Sequence, residues 1–363
     1  MTYGFGIVGC GMIAGFHAKA IKDAGGQFVA CYDSLIESAE RLAGQYGARP
    51  YNDLKTMLAD PDVHVITIGT PSGAHLDPAI AAAEAGKHVI VEKPLEITLE
   101  RCDKIIDACR RNNVKLGTIF PSRFHESSRQ LKQAVTANRF GRLTMGDAIV
   151  KWYRKQEYYD SGAWRGTWEL DGGGALMNQA IHTIDLLLWL MGPVKTITAH
   201  AALLAHKNIA VEDTAVATLQ FANGALGIIE GSTAVYPGYL KRVEIHGSTG
   251  SAVIEEEDII KWDFAEATAN DAEVREKMLT QKSGGGGAAD PAAIGHHGHA
   301  LLFRNVLNAI ENNTTPDIDG SEGRKSVEVI LAIYLAAQTG KVVELPLKSD
   351  PELAARKNGM NEF

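Results

Sequence analysis

Asn178, His182 and Asp185 are three polar residues in a mostly apolar, helix-like run that begins after Gly172-Gly173-Gly174 and stops at Gly192. At about 100° per residue, His182 falls about 40° from Asn178 and Asp185 about 20° to its other side, so the spacing predicts one narrow helical face for all three. A helix built only for packing has no use for an amide, an imidazole and a carboxylate there. The imidazole's ordinary pKa lies nearest neutrality, which suits a general base. A carboxylate one turn further on either orients that imidazole or is a buried structural charge, and both readings stay open for Asp185. The pattern predicts the wall of an active site with His182 as its base.

A second reactive group, Lys93, stands in Glu92-Lys93-Pro94 directly after an apolar run, and the elements around it say where it must lie. Short β-branched-rich runs at 5–8, 28–32, 63–68, 89–91 and 116–119 alternate with Ala-rich helical stretches at 14–23, 36–46, 78–85 and 99–112. Repeated strand–helix–strand units of this kind predict a doubly wound parallel sheet. The first turn, Gly9-Cys10-Gly11-Met12-Ile13-Ala14, has the G-x-G-x-x-[GA] form of a dinucleotide fingerprint between a strand and a helix. Its glycines let backbone N–H groups approach a pyrophosphate at the positive end of that helix. Asp33, closing the second strand, would accept hydrogen bonds from ribose hydroxyls and repel a 2′-phosphate, which favours NAD over NADP. In such sheets ligands bind outside the carboxyl ends of the strands, which makes Thr70, Pro71, Ser72, Glu92 and Lys93 cofactor-side residues. His75 joins that set, with capping or core packing as its competing reading. Lys93 would stabilise a developing alkoxide or share in the proton transfer.

Composition limits the alternatives. With 363 residues the chain is long enough for two domains, and 45% hydrophobic with 22% charged residues is ordinary for a soluble protein. A formal charge of −8 argues against a nucleic-acid surface and favours small-molecule chemistry. Cys10, Cys31, Cys102 and Cys109 are widely spaced and lack a CxxC, so reduced thiols are expected. No cationic leader precedes an apolar segment and no apolar run reaches the roughly 18–20 residues of a membrane span, so a cytoplasmic location is expected.

Beyond the first domain, extended patterns at 143–153, 194–204, 214–221, 225–232, 241–246 and 252–254 are separated by turn signals such as Ala222-Asn223-Gly224. They predict a larger, mostly antiparallel sheet, and the division into domains is expected at 1–121 and 122–363. Residues 264–298 form the chief irregular stretch, with a flexible run at 283–289. His296, His297 and His299 follow it, but without helical i, i+4 spacing or carboxylate partners, so no metal is expected. Helices at 300–311 and 320–337 and a strand at 341–347 complete the reading. Arg123, Trp152, Tyr153, Arg154, Tyr158 and Tyr159 concentrate guanidinium forks and aromatic faces, a mixture suited to stacking a sugar and holding a carboxylate or diphosphate.

Glu92-Lys93-Pro94 after the fingerprint, then Gly-Gly-Gly-x-Leu, then Ile181-His182-x-Ile-Asp185 together resemble the glucose-fructose oxidoreductase, inositol dehydrogenase and MocA (Gfo/Idh/MocA) family over nearly the whole chain. The stretches 156–160, 164–169, 177–180, 211–214 and 319–326 are most similar to its bacterial UDP-N-acetylglucosaminuronate 3-dehydrogenases. The resemblance implies an α/β fold: an N-terminal Rossmann domain and a C-terminal α+β domain whose open-faced sheet is covered by another subunit in a homodimer or homotetramer. It also implies that Trp164 and Arg165 reach back to the cofactor. The implied reaction is NAD-dependent hydride transfer from a secondary hydroxyl of a pyranose, with C3 of a UDP-linked N-acetylhexosaminuronate as the particular case. A dehydrogenase of a simple glycoside or inositol, and a non-catalytic NAD-binding regulator, stay open beside it. Asn178 departs from the inositol dehydrogenases, which carry Asp four residues before the His. An amide cannot accept the proton, which leaves His182 and Lys93 for that step and a substrate hydroxyl as the partner of Asn178.

Overall fold

The computed structural model describes residues 2–280 and 295–353. The first sheet has six parallel strands: β1 (Gly4–Val8), β2 (Gln27–Tyr32), β3 (Arg49–Tyr51), β4 (Val65–Ile68), β5 (His88–Val91) and β6 (Leu116–Thr118), ordered β3-β2-β1-β4-β5-β6. Every residue of β1 and β4 is buried, as expected of strands covered on both faces. The sequence reading missed β3, whose Arg49-Pro50-Tyr51 carries no apolar pattern; Pro50 lacks an N–H and is tolerated because the strand is an edge. Helices α1 (Met12–Asp23), α2 (Ile36–Tyr46), α3 (Leu54–Leu58), α4 (Leu76–Glu84) and α5 (Leu99–Arg111) make the crossovers. In α5 the stripe Leu99, Cys102, Ile105, Ala108 and Cys109 is buried, and Thr98 caps the helix by accepting from the Arg101 N–H at 3.3 Å.

The second sheet has eight strands: β7 (Leu143–Lys151), β8 (Val194–Ala202), β9 (Thr214–Phe221), β10 (Leu226–Ser232), β11 (Arg242–Gly247), β12 (Gly250–Glu255), β13 (Asp258–Phe264) and β14 (Val343–Glu344). Their order is β13-β12-β11-β7-β10-β9-β8-β14, antiparallel throughout except for β7 beside β10. Strand β9 alternates buried Ala215, Ala217, Leu219 and Phe221 with exposed Val216, Thr218 and Gln220, so one face of the sheet packs and the other is open. This domain also carries α6 (Glu126–Thr136), α7 (Gln156–Asp160), α8 (Ile181–Met191) and α9 (Ala269–Thr280). Helix α9 corrects the expectation of an irregular stretch over 264–298, and the run at 283–289 lies outside the described residues.

The compact units are not the contiguous 1–121 and 122–363 expected. The first is the chain to Pro121 joined by Gly295–Val327, and the second is the remainder, with the later boundary inside α11 (Gly320–Thr339). Helix α10 (His297–Glu311) returns to the first unit, where Phe303 stacks on Phe5 at 5.8 Å, and the Thr118 N–H donates to the Ile318 carbonyl at 2.9 Å. Hydrophobic periodicity marks α10 as a helix but not the sheet it covers.

Candidate active site

In the first unit, Gly9 has φ +89°, and a Cβ there would lie 2.7 Å from the Thr70 nitrogen, so only glycine fits this crossing of two strand ends. A Cβ on Gly11 would meet nothing within 4 Å, which leaves space at the N-terminus of α1 where Met12 and Ile13 present their backbone. Asp33 accepts the Cys10 N–H at 2.7 Å and the Leu35 N–H at 2.9 Å, tying the fingerprint turn to the end of β2. Glycine turn, uncapped helix end and carboxylate therefore fit an adenine dinucleotide. Thr70 and Pro71 are half-buried at the end of β4 and Ser72 is buried.

From Val89 to Ile97 every residue is buried except Lys93. The side chains of His75 and Glu92, both expected on the cofactor side, are buried. His75 is 1% exposed, with its ring nitrogens 2.9 Å from the Pro94 carbonyl and 3.1 Å from the Thr70 carbonyl, so it braces two strand-end loops. The Glu92 carboxylate turns inward to His17 and His299. His299 thus has the carboxylate partner that its local sequence lacked, supplied from a distant part of the chain.

In the second unit, residues 175–180 form a π-helical turn that runs into α8, so Asn178 does not share the regular α-helical face calculated for His182 and Asp185. Between Asp171 and Leu188 only Asn178 and His182 escape full burial. Asp185 is 0% exposed and does not reach the surface with them. Its two oxygens accept the fork of Arg123, Nε at 2.8 Å and a terminal nitrogen at 2.6 Å, and Arg123 lies over the Trp189 ring. Arg123 is therefore a buried partner of Asp185 rather than an open substrate fork.

Asn178 heads a hydrogen-bond chain whose direction is fixed by its ends. Arg154, which can only donate, bonds Gln179 Oε1 at 3.1 Å; Gln179 Nε2 donates to Asn178 Oδ1 at 3.0 Å; Asn178 Nδ2 donates to Asp171 Oδ1 at 2.6 Å. An Asp at 178 would face the Asp171 carboxylate, which gives a local reason for the amide. Gln179 and Arg165 also both donate to the Tyr158 hydroxyl, at 2.8 and 2.6 Å. Burial raises the Tyr158 pKa, so the phenol keeps its own proton. Arg154 itself is 3% exposed and also donates to the carbonyl of Tyr153, which is half-buried. Trp164 and Arg165 stack on one another at 4.6 Å. Tyr159 is core, its hydroxyl 2.8 Å from Thr233.

Sequence reasoning missed Gln179, Asp171 and Glu212. The Glu212 carboxylate accepts from the Gly174 N–H, the Leu176 N–H and the Tyr334 hydroxyl, each at 2.9 Å, and anchors the turn that leads to Asn178. A Cβ on Gly174 would sit 1.7 Å from the Glu212 carbonyl oxygen, which is why glycine ends that turn. Burial pushes the Glu212 carboxyl up to about 7 from an ordinary 4.5, against the opposing pull of those three donors. The folded chain holds this proton more tightly than the unfolded one. Its stabilisation is complete below about pH 4.5 and is lost as pH rises through 7. Relative to Glu212→Gln, the wild type should lose about 3 kcal/mol over that interval, read as a pH-dependent gap in denaturation midpoint; a constant gap refutes it.

A sequence profile described as an oxidoreductase family with an NAD-binding Rossmann fold matches residues 3–120, and one described as the GFO/IDH/MocA C-terminal domain matches 128–253. The inositol 2-dehydrogenase of Rhizobium meliloti is 30% identical over 271 residues, 73% of this chain and 79% of that protein. The chain belongs to the GFO/IDH/MocA family. Among solved structures of such proteins, the WlbA dehydrogenase of Bordetella pertussis, in complex with NADH and UDP-GlcNAcA, is 36% identical with a TM-score of 0.88. That match covers 96% of this chain and 99% of the other. The WlbA dehydrogenase of Chromobactrium violaceum, with the same two ligands, is 35% identical over 96% of this chain and 97% of that one, TM-score 0.85. As a member of this GFO/IDH/MocA group the chain is an NAD-dependent oxidoreductase acting on sugars or polyols. No helix among the described residues is long and apolar enough to cross a membrane.

Proposed function

We propose that the chain oxidises a secondary hydroxyl of a pyranose, at C3 of a UDP-linked N-acetylhexosaminuronate. The observation that carries the site assignment is that His182 and Asn178 are the only residues of a buried 18-residue stretch, 171–188, that reach the surface, as Lys93 is in its own stretch. Bound NAD supplies the hydride acceptor. The His182 imidazole takes the hydroxyl proton, so that loss of the C–H hydride leaves a ketone and one proton on the protein. The Lys93 ammonium stabilises negative charge on the reacting oxygen. Tyr158, held by two donors, offers its O–H to a sugar oxygen, and Asn178 contacts a substrate hydroxyl. The UDP-GlcNAcA held by the two WlbA dehydrogenases supports the nucleotide-sugar. A second copy is proposed to cover the open sheet face, where Met145, Val216 and Leu226 are exposed.

The inositol 2-dehydrogenase relative favours a second reading, oxidation of an inositol. Following NADH absorbance with NAD and UDP-uronates, free uronates, simple glycosides and inositols separates them. The first reading expects the UDP-uronate to have a kcat/KM at least about 100-fold above the rest, and an inositol in that place would replace it.

A further inference from the structure

Glu92 is a buried carboxylate whose charge is held by hydrogen bonding from three parts of the first unit. His17 Nε2, on α1, lies 3.0 Å from Oε1; His299 Nε2, on α10, lies 3.5 Å from the same oxygen; and the Lys93 N–H donates to Oε2 at 3.0 Å. His17 faces Thr67 Oγ1 at 3.1 Å through Nδ1. With the Thr67 hydroxyl donating to Nδ1, the His17 proton sits on Nε2, aimed at Glu92. Burial lowers the His17 pKa and keeps the ring neutral. Burial pushes the Glu92 carboxyl up, but the hydrogen bonds from His17 and His299 outweigh it and hold the group ionised. Beyond Lys93 the chain is pinned again, by His75 at the Pro94 carbonyl and by buried Glu96, which accepts from the Ile97 N–H at 2.6 Å and from Arg101 at 2.7 Å. The function described above uses none of these side chains.

We propose that His17, Glu92 and His299 form a positioning cluster for Lys93, in which a buried anion clamped by two imidazoles fixes the Lys93 backbone and sets a permanent negative charge one residue from its ammonium. The inference rests on the reading of Lys93 as the group that stabilises charge on the reacting oxygen. A misplacement of about 1 Å at such a group costs on the order of 100-fold in rate, so a residue that never touches substrate can still govern turnover.

The test uses the full chain. Glu92→Gln keeps the volume but removes the charge and turns an amide N–H toward an imidazole donor. It should lower kcat by roughly 10- to 100-fold while KM for NAD and for sugar stays within about threefold. His17→Gln places an N–H near the lost Nε2 and should retain most of kcat, whereas His17→Leu should match Glu92→Gln. This pair keeps the test decisive if Glu92→Gln does not fold. Nitrogen-15 NMR of the cofactor-free protein should show His17 as the neutral Nε2–H tautomer. Full kcat in Glu92→Gln and His17→Leu, with Lys93→Met inactive, overturns the cluster. An active Lys93→Met overturns instead the role given to Lys93. One side-chain ligand atom from each of His17, Glu92 and His299 lies within 4.8 Å of the others, so stoichiometric zinc in the purified protein by elemental analysis, with loss of the Nε2–H signal, also overturns it.

Discussion

His182→Ala is expected to lower kcat by about 10²- to 10⁴-fold, the range that a positioned general base contributes, while NAD still binds and the protein still unfolds cooperatively near the wild-type midpoint. Binding should survive because the fingerprint turn, Asp33 and the β4 and β5 ends all belong to the first unit, whereas His182 belongs to the second. Folding should survive because His182 is half-buried on a helix whose other inward positions, Ile181, Ile184 and Leu187, carry the packing. The contrast with Lys93→Met is informative. Loss of an electrostatic stabiliser should lower kcat across the pH range, whereas loss of the base should also abolish the acid limb of the kcat/KM profile. Stopped-flow NADH formation and fluorescence titration of NADH binding provide both readouts. Turnover within tenfold of wild type in His182→Ala would remove the histidine from the proton transfer and leave it a surface-facing hydrogen-bond partner.

The first sheet was legible because each of its inner strands is a continuous apolar run between helical stretches, a pattern that parallel burial imposes directly on sequence. The Gly9 turn and Asp33 were legible because a backbone that must pass close to another backbone restricts residue type locally. What could not be read was pairing across the chain. Glu92 meets His17 across 75 positions and Glu212 meets Gly174 across 38, and no local period records either. Asp185 shows the same limit from the other side. Its spacing from His182 left an orienting carboxylate and a buried structural charge both open, and the partner that bonds both of its oxygens lies 62 positions away at Arg123. The π-turn at 175–180 was hidden for a different reason: an extra residue in one helical turn leaves composition unchanged while rotating Asn178 relative to α8. Its amide was nevertheless informative, since the Arg154–Gln179–Asn178–Asp171 chain needs a donor there.

Removing one member of the Arg123–Asp185 pair is expected to cost about 3–5 kcal/mol of stability. The two side chains are 4% and 0% exposed, so neither left alone can be rehydrated without opening the packing of α8. Arg123→Ala removes both guanidinium hydrogen bonds to the buried Asp185 carboxylate, and Asp185→Asn keeps the shape but no longer matches the guanidinium fork. For a unit of this size such a loss lowers the thermal midpoint by on the order of 10 °C. The pair itself need not be worth that much, because bringing two ions out of water offsets most of their attraction. The double replacement Arg123→Met with Asp185→Leu, which removes both charges and refills the volume, should therefore recover most of what either single change loses. Thermal unfolding of the two single variants and the double variant closes the cycle. Additive losses would mean that the bidentate contact does not couple the two residues. A double variant as stable as wild type but with depressed kcat would show that the pair is kept for the placement of α8, and of His182 upon it, rather than for stability.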